Sequence, residues 1–281
     1  MFGFFKKKKV DPRKELVAVL GERELPSFPA IIMQALAKLR HPDSAVRDVS
    51  HIIASDPGLS VRLLKTVNSA AFALRRKVDN VQQASVLLGK SRVESLLLSV
   101  AVKSALPNEP DFDTVHFWRT SARRAATARA LAQLLHPATQ AESFSAALLQ
   151  DMAVPMLFQA RKSEYKPVLE HHRNSEHCLT HLEQPEFGWD HTEVATWMAA
   201  EWSFPEVLAC AIGGHHGDGL VEPIAPPAVK LVSSIRDPAG EEYHDEIVTT
   251  VSELYGVGTD AVVTVLTDGA EQGHQLARLF L

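Results

Sequence analysis

The stretch KSRVESLLLSVAVKSA, residues 90–105, is the most periodic part of the chain. Its apolar residues recur at positions i, i+3, i+4, i+7 and i+8, a spacing that places them on one face of an α-helix. These residues are Val93, Leu96, Leu97, Val100 and Ala101. Gly89 stands directly before the stretch, and glycine commonly ends a helix because it adopts a positive φ without strain. The sequence therefore predicts an amphipathic helix here, beginning where another helix ends.

The same helical period recurs in residues 31–39, 46–54, 59–67 and 194–202. Asp56 before Pro57 is typical of a helix start, with an acidic N-cap and proline at the first helical position. Asp190 and Glu193 have the spacing of a capping box at a second start. Alternation of apolar and polar residues, which would indicate strands, is nearly absent. We therefore predict an all-α fold, a multi-helix bundle of roughly a dozen helices in two packed halves.

A polar, proline-rich segment, LPNEP at residues 106–110, separates two helical regions. We predict a basic, flexible N-terminal tail at residues 1–11 and an N-terminal helical half at residues 12–106. A C-terminal helical half follows at residues 107–240, and a helical extension at residues 241–281. This division follows composition and helical period, because the chain shows no internal repeat.

Composition excludes several classes of protein. The chain has 281 residues, a formal net charge of −5, 46% hydrophobic and 22% charged residues, which is typical of a soluble globular protein. No apolar run is long enough to span a bilayer, and no secretory signal is visible, so we expect a cytoplasmic location. The two cysteines, Cys178 and Cys210, predict neither a disulfide framework nor a cysteine zinc site. Peripheral contact with an anionic membrane is expected at most through Lys6, Lys7, Lys8 and Lys9.

Three short motifs occur in a fixed order in the first half: LPSFP at residues 25–29, DPGL at 56–59 and NSAAF at 68–72. This ordered set resembles the HDOD family, all-helical bacterial signalling domains related to HD-type phosphohydrolases. The residues that carry the resemblance are Leu25, Pro26, Pro29, Asp56, Pro57, Leu59, Asn68, Ser69, Ala70 and Phe72. We interpret them as architectural, because the prolines fix backbone φ and Asp56 caps a helix. Asn68 and Ser69 are predicted to close their helix through side-chain hydrogen bonds to the backbone.

The resemblance also implies where a metal site would lie. Catalytic HD-type relatives hold a divalent cation with a histidine, a His-Asp pair and a distant aspartate, and the cation activates water against a phosphoester. The matching positions here are Thr120, Gln150, Asp151 and Ser234, although Asp237 is close enough to Ser234 to leave that match open. Hydroxyl and amide side chains hold such a cation far more weakly than imidazole or carboxylate. The resemblance therefore implies a degenerate site with no catalytic residue, no metal and no cofactor.

The chain's histidines offer the main alternative. His191, His215 and His216 resemble positions where metal-rich relatives, the HD-GYP cyclic-dinucleotide phosphodiesterases, carry further ligands. With Asp151, His191 and either His215 or His216 would form a reduced metal site. By contrast, His171, His172, His177 and His181 are predicted to be surface residues. Cys178 with His181 one helical turn away would also make a nucleophile pair, but a chance pairing is favoured.

The function predicted is a non-enzymatic bacterial signal-transduction module that acts through contacts with other signalling proteins. One alternative is a metal-dependent phosphohydrolase with a rearranged site, acting on a phosphoester or cyclic dinucleotide. The other is a nucleotide sensor, which would bind a nucleotide in the cleft of the former metal site without cleaving it. The candidate partner surface is Arg75, Arg76 and Lys77, a basic segment just after Phe72. The negative net charge argues against a dedicated nucleic-acid binder.

Four tryptophans are expected in the core or the cleft wall, namely Trp118, Trp189, Trp197 and Trp202.

Overall fold

The computed structural model describes residues 11–21, 25–69, 76–216, 225–237 and 244–278 together with Leu281. These residues form fifteen α-helices and no β-strand, which confirms the predicted all-α fold. The helices are α1 (Pro12–Leu20), α2 (Ala30–Arg40), α3 (Val46–Ala54), α4 (Pro57–Val67), α5 (Val81–Ala105), α6 (Thr114–Leu135), α7 (Gln140–Leu149), α8 (Ala153–Ala160), α9 (Lys162–Arg173), α10 (Leu179–Phe187), α11 (His191–Glu201), α12 (Glu206–Gly213), α13 (Pro227–Val232), α14 (His244–Tyr255) and α15 (Thr259–Ala277). None of them is long and apolar enough to cross a membrane.

Both predicted helix starts are present. The Asp56 side chain accepts a hydrogen bond of 2.7 Å from the backbone N–H of Leu59, and Pro57 is the first residue of α4. The Asp190 side chain accepts from two backbone N–H groups at the start of α11, and the Glu193 carboxylate accepts from the N–H of Asp190. Such bonds occupy N–H groups that the first helical turn leaves without a partner, and this is why each helix begins where it does.

Helix α5 is broken at Gly89, where φ is 76° and ψ is 172°. The break separates residues 81–88 from the periodic stretch 90–105, in agreement with the predicted helix end. The predicted apolar face of that stretch is buried, with Val93, Leu97 and Ala101 each fully inaccessible to solvent. Residues 106–113, between α5 and α6, contain no helix. One apolar cluster includes residues of both halves, from α1 to α15. The domain boundaries drawn from the sequence stay a prediction.

The LPSFP segment is held by the second half of the chain. The indole N–H of Trp202, at the end of α11, donates a hydrogen bond of 3.1 Å to the carbonyl of Pro26. The ring centroid of Phe28 lies 4.8 Å from that of Trp202 and 6.4 Å from that of Phe204. These contacts agree with an architectural role for the segment, since they fix the chain as it enters α2. Of the four tryptophans, Trp118 is buried, whereas Trp189, Trp197 and Trp202 are partly buried against the main core.

Asn68 has a longer reach than the sequence predicts. Its amide exchanges two hydrogen bonds of 2.8 Å with the backbone N–H and carbonyl of Val78, ten residues further on. The side chain thus ties the end of α4 to the start of α5, whereas the prediction had it closing its own helix. For Ser69 the prediction is confirmed, because its hydroxyl donates to the carbonyl of Thr66. Several predicted residues lie outside the described part of the chain, namely Ala70, Phe72, Arg75, Lys6, Lys7, Lys8 and Lys9.

A second apolar cluster joins α6 and α13 to the C-terminal helices α14 and α15. Two glycines on α15 allow it to approach α6 closely. A Cβ atom on Gly273 would lie 2.4 Å from the Cα of Arg123, and one on Gly269 would lie 2.8 Å from the Cα of Thr127. Only glycine permits backbones this near to each other. The C-terminal extension is therefore packed directly on the helix that carries Thr120.

Candidate metal centre and cleft

Four side chains with metal-ligating atoms converge at one point of the second half. The ligating atoms of Asp151, His191, His215 and His216 all lie within 4.8 Å of one another. Asp151 is in the turn between α7 and α8, His191 is the first residue of α11, and His215 and His216 follow α12. The capping box at Asp190 and Glu193 fixes the start of α11 and thereby the position of His191. The structure therefore brings together the four residues that the sequence offers as a reduced metal site.

Two of these imidazoles are oriented by buried hydrogen-bond partners. The Nδ1 atom of His191 lies 2.6 Å from a carboxylate oxygen of Glu183, and Nδ1 of His215 lies 2.6 Å from the carbonyl of Ile212. Both partners are acceptors, so each Nδ1 carries a proton and each Nε2 faces the cluster. Partners of this kind orient metal-ligating histidines in general. Glu183 also accepts hydrogen bonds from the Tyr165 hydroxyl and from the backbone N–H of His191, at 2.9 Å for the latter.

The two Nε2 atoms and one carboxylate oxygen form the centre of the cluster. Asp151 Oδ1 lies 3.3 Å from Nε2 of His215 and 3.6 Å from Nε2 of His191, and it makes no hydrogen bond within the described residues. The two Nε2 atoms are 3.3 Å apart. Lone pairs at these distances repel unless a proton or a cation lies between them. Burial lowers the pKa of His191, but the carboxylates of Glu183, Asp151 and Asp190 together raise it to about 9, with Glu183 the strongest of the three. A proton on Nε2 of His191 is therefore one way to relieve this repulsion.

Arg124, on α6, forms an ion pair with the other carboxylate oxygen of Asp151. Its NH1 group donates to Asp151 Oδ2, and its Nε donates to the carbonyl of Ile235 at 2.7 Å. The side chain of Arg124 is 7% exposed and that of Asp151 is 18% exposed. Burial raises the pKa of Asp151, but the Arg124 guanidinium and the two histidines hold it well below its usual range. The carboxylate is therefore ionised and already paired with a fixed cation.

The other residues that match metal-ligand positions of the catalytic relatives place no side chain in the cluster. Thr120 is buried and its hydroxyl donates to the carbonyl of Arg236 at 3.3 Å. Ser234 donates to the carbonyl of Leu231 within its own turn. Gln150 is 1% exposed, and neither its amide nitrogen nor its amide oxygen has a hydrogen-bond partner among the described residues. Asp237, the other match for the distant aspartate, lines the adjacent cleft instead.

A cleft with a volume of about 590 Å³ opens beside the cluster. Asp151 and Arg124 form part of its wall, and the three clustered histidines are absent from the described residues that line it. His172 also lines the cleft and is only partly exposed, so the prediction that it is a surface residue is wrong. The reason is that α9 turns this side chain inward, where burial lowers its pKa to about 4. For His171, His177 and His181 the prediction of surface exposure is confirmed.

Cys178 has a different neighbour from the one expected. Its sulfur lies 3.5 Å from Nδ1 of His216 and 3.2 Å from the hydroxyl of Thr180. His181, the pairing partner considered from the sequence, points to solvent. Burial, followed by the neighbouring His215 and His191, lowers the pKa of His216. Both cysteines are free thiols, which agrees with the absence of a disulfide framework.

Sequence reasoning missed three residues of the site, namely Arg124, Glu183 and Tyr165. Arg124 stands in SARRAATA, residues 121–128, where two arginines interrupt a run of small residues. Small residues on all sides indicate a tightly packed helix, so that run was the available signal for a buried arginine. Glu183 and Tyr165 lie on separate helices, and nothing in their local sequence distinguishes them from surface residues.

Comparisons with known proteins fit this architecture. The chain is similar to a Shewanella amazonensis protein named "Putative phosphohydrolase", with a TM-score of 0.75 and 22% identity over 97% of this chain and 99% of that one. It is also similar to a "Putative signal transduction protein" of Marinobacter aquaeolei, with a TM-score of 0.70 and 18% identity over 96% of this chain and 65% of that one. At these identities the likeness establishes the fold alone.

Sequence comparison gives the family. An uncharacterized protein of Treponema pallidum is 25% identical over 226 residues, which is 79% of this chain. The chain spans only 43% of that relative's length. The family model for the HDOD domain matches residues 25–217, well over half of the sequence, and includes the three ordered motifs and the clustered histidines. The chain belongs to the HDOD family.

Proposed function

We propose that this protein is a non-enzymatic signalling module in which the former HD-type metal centre no longer supports catalysis. The observation that carries the proposal is the buried ion pair between Arg124 and Asp151. A guanidinium bonded to the carboxylate supplies the positive charge that a divalent cation would otherwise bring to it. Its own bonds to the carbonyls of Ile235 and Ser233 hold it in place.

The shape of the cleft supports the same proposal. A catalytic metal needs an open coordination position that a substrate can reach. A ligand in the cleft would meet Arg124 and Asp151, since the described residues lining it include none of the three clustered histidines. Two of the positions that match the family's other ligands hold Thr120 and Gln150, which are weak ligands for such a cation.

The second candidate function is a metal-dependent phosphohydrolase with a rearranged site, and one observation favours it. Asp151 Oδ1 and the Nε2 atoms of His191 and His215 converge, and both Nδ1 atoms are already held by acceptors. These donors fit a first-row divalent metal ion, which would polarise a phosphoester and activate water when bound. In that case Asp151, His191 and His215 would hold the ion and Arg124 would face the substrate's negative charge.

Elemental analysis of the purified protein separates the two candidates. We expect manganese, iron and zinc to be present at well below one equivalent, because Arg124 already neutralises the only carboxylate of the cluster. The matched variants are His191→Ala, inside the cluster, and His181→Ala, which removes an exposed histidine. Stoichiometric metal that is lost in His191→Ala and retained in His181→Ala would favour the phosphohydrolase.

For the partner surface we propose the basic segment between α4 and α5. Arg76 and Lys77 are exposed, and they directly precede Val78, whose backbone is held by two hydrogen bonds to the Asn68 side chain. An exposed basic segment on a chain of negative net charge is suited to an acidic protein surface.

Reversing both charges, in Arg76→Glu with Lys77→Glu, is expected to weaken capture of a partner from the native host by at least about tenfold, as loss of two ionic contacts implies. The melting temperature should stay within about 1 °C, because exposed charges contribute little to stability. Arg119→Glu with Lys166→Glu, two exposed sites on the second half, is the control. Equal capture by both double variants would remove this segment from the interface.

A further inference from the structure

Exposed apolar side chains gather at one end of the helix pair formed by α14 and α15. Leu254 is 71% exposed, Val263 is 47% exposed and Tyr255 is 42% exposed. Leu254 and Tyr255 lie in the last turn of α14, and Val263 lies in the second turn of α15. Only three residues connect the two helices, which share one apolar cluster, so the three side chains lie at the same end of the pair.

Leu134 extends this group onto α6. Of the two glycines of α15 that approach α6, Gly273 meets the earlier residue and Gly269 the later one, so α15 runs antiparallel to α6. Two helical turns further along, the same register places the start of α15 beside the end of α6, where Leu134 is 38% exposed. Single exposed apolar residues are ordinary, whereas a group of them indicates an interaction site. We call this group the hairpin-end surface: Leu134, Leu254, Tyr255 and Val263.

Leu254 also continues a stripe of buried residues on α14. Ile247 and Val251 are buried with the helical spacing i and i+4, and Leu254 follows at i+7 on the same face. The stripe therefore runs past the last residue that the described part of the fold covers. An apolar segment placed against Leu254 would complete the stripe and remove apolar area from water.

The two helices also carry the negative charge of the chain. Residues 244–281 contain six acidic residues and one arginine, a net charge of −5, which equals the net charge of the whole sequence. Glu253 directly precedes Leu254, and Asp260 is in the first turn of α15, so both border the hairpin-end surface. All six acidic side chains are exposed and none forms an ion pair with another described residue: Asp245, Glu246, Glu253, Asp260, Asp268 and Glu271. The hairpin-end surface is therefore suited to an occupant that has both apolar side chains and positive charge.

Residues 1–10, MFGFFKKKKV, combine these two properties and lie outside the described part of the chain. Phe2, Phe4 and Phe5 precede four consecutive lysines, Lys6–Lys9. Aromatic side chains are frequent anchors of an interface, and opposite charge around such an anchor fixes its orientation and speeds association.

We propose that residues 1–10 bind the hairpin-end surface. The phenylalanine rings pack on Leu254, Tyr255 and Val263, and the lysines face Glu253 and Asp260. Ten extended residues span about 35 Å at most, so either the same chain or a second copy can supply the segment, and the experiment below distinguishes the two. The contact is independent of the candidate metal centre and of the function proposed for it.

Carbodiimide coupling of the full-length chain tests this contact, because the reagent joins a lysine amine directly to a carboxylate without a spacer. We expect products that join Lys6–Lys9 to Glu253 or Asp260, identified by mass spectrometry. They should be at least about fivefold more abundant than products with Glu186, an exposed acidic residue on α10, because binding raises the local concentration of the lysines. A product with the mass of one chain would assign the segment to the same chain, a product with the mass of two chains would assign it to a second copy, and either supports the proposal. Coupling spread evenly over the exposed acidic residues would overturn it.

Three variants locate the contact without removing an amine or a carboxylate. Phe4→Ser with Phe5→Ser, and separately Leu254→Ser, should each lower coupling to Glu253 and Asp260 by at least about fivefold, because the apolar contact is lost. The first of these changes lies outside the described fold, so it keeps the test valid should Leu254→Ser fold poorly. Val207→Ser, at a 65% exposed position on α12, is the matched control and should leave the coupling unchanged. Coupling retained in either of the first two variants, or lowered as much in Val207→Ser, would overturn the assignment.

Sedimentation with phosphatidylserine vesicles tests the other use of the four lysines, contact with an anionic membrane. Coupling to Glu253 and Asp260 that persists when the vesicles are added supports the proposed contact. Binding to the vesicles that depends on Lys6–Lys9, with no coupling to either carboxylate in their absence, would overturn the proposal in favour of the membrane.

Discussion

Replacing Arg124 by methionine is expected to lower the free energy of unfolding by about 3–5 kcal/mol, the usual cost of removing one partner of a buried ion pair. The variant would leave the Asp151 carboxylate buried without its guanidinium and would leave the carbonyl of Ile235 without its donor. Methionine keeps most of the side-chain volume, so loss of packing contributes little. Urea denaturation of the purified variant measures the change.

Two further variants make this result specific. Arg119→Met, on the exposed side of the same helix, should change stability by less than about 0.5 kcal/mol, as surface substitutions usually do. Adding Asp151→Asn to Arg124→Met should recover part of the lost stability, because the uncompensated charge is removed. A loss below about 1 kcal/mol in Arg124→Met would mean that the pair is solvated in solution, since exposed ion pairs contribute about that much or less.

Truncating Trp202 to alanine is expected to cost about 3 kcal/mol, the low end of the range for large aromatic side chains, because the ring is only partly buried. The ring packs on Phe28 and Phe204, and the indole N–H holds the carbonyl of Pro26. Loss of both contacts would free the LPSFP segment from the end of α11. Thermal or urea unfolding, read by circular dichroism, measures the change.

The variant Trp202→Phe separates packing from hydrogen bonding. It retains most of the aromatic contact and removes the indole N–H, so it should cost only about 1 kcal/mol. Equal losses in Trp202→Ala and Trp202→Phe would assign the whole effect to the bond with Pro26. Stability unchanged in Trp202→Ala would show that LPSFP is anchored elsewhere.

The features that the sequence predicted correctly are helix starts and ends, which depend on residues close together in the chain. The cap at Asp56, the capping box at Asp190 and the break at Gly89 each depend on neighbours at most four positions away. Asn68 shows the limit of such reasoning. Its amide predicts a hydrogen bond to backbone, but the partner, Val78, is set by how the chain returns from α4 to α5.

The candidate site was predictable only in part, for a similar reason. The family resemblance indicated Asp151, His191, His215 and His216, and the structure places them together. It did not indicate Arg124, because arginine on a helix is usually solvated and pairs across tertiary contacts leave no local pattern. Glu183 is a second case. Its carboxylate orients His191 from eight residues earlier, on another helix, and the pairing depends on how α10 packs against α11.

The most direct test of the central claim is a hydrolysis assay with manganese or iron, using a generic phosphodiester and a cyclic dinucleotide as substrates. The variants are Asp151→Asn, at the cluster, and Asp79→Asn, at an exposed aspartate in the first half of the chain. We expect no rate above the protein-free control for the wild type or either variant, because Arg124 already pairs with the Asp151 carboxylate at the wall of the cleft. Turnover by the wild type that is retained in Asp79→Asn and lost in Asp151→Asn would contradict the account and establish a metal-dependent phosphohydrolase.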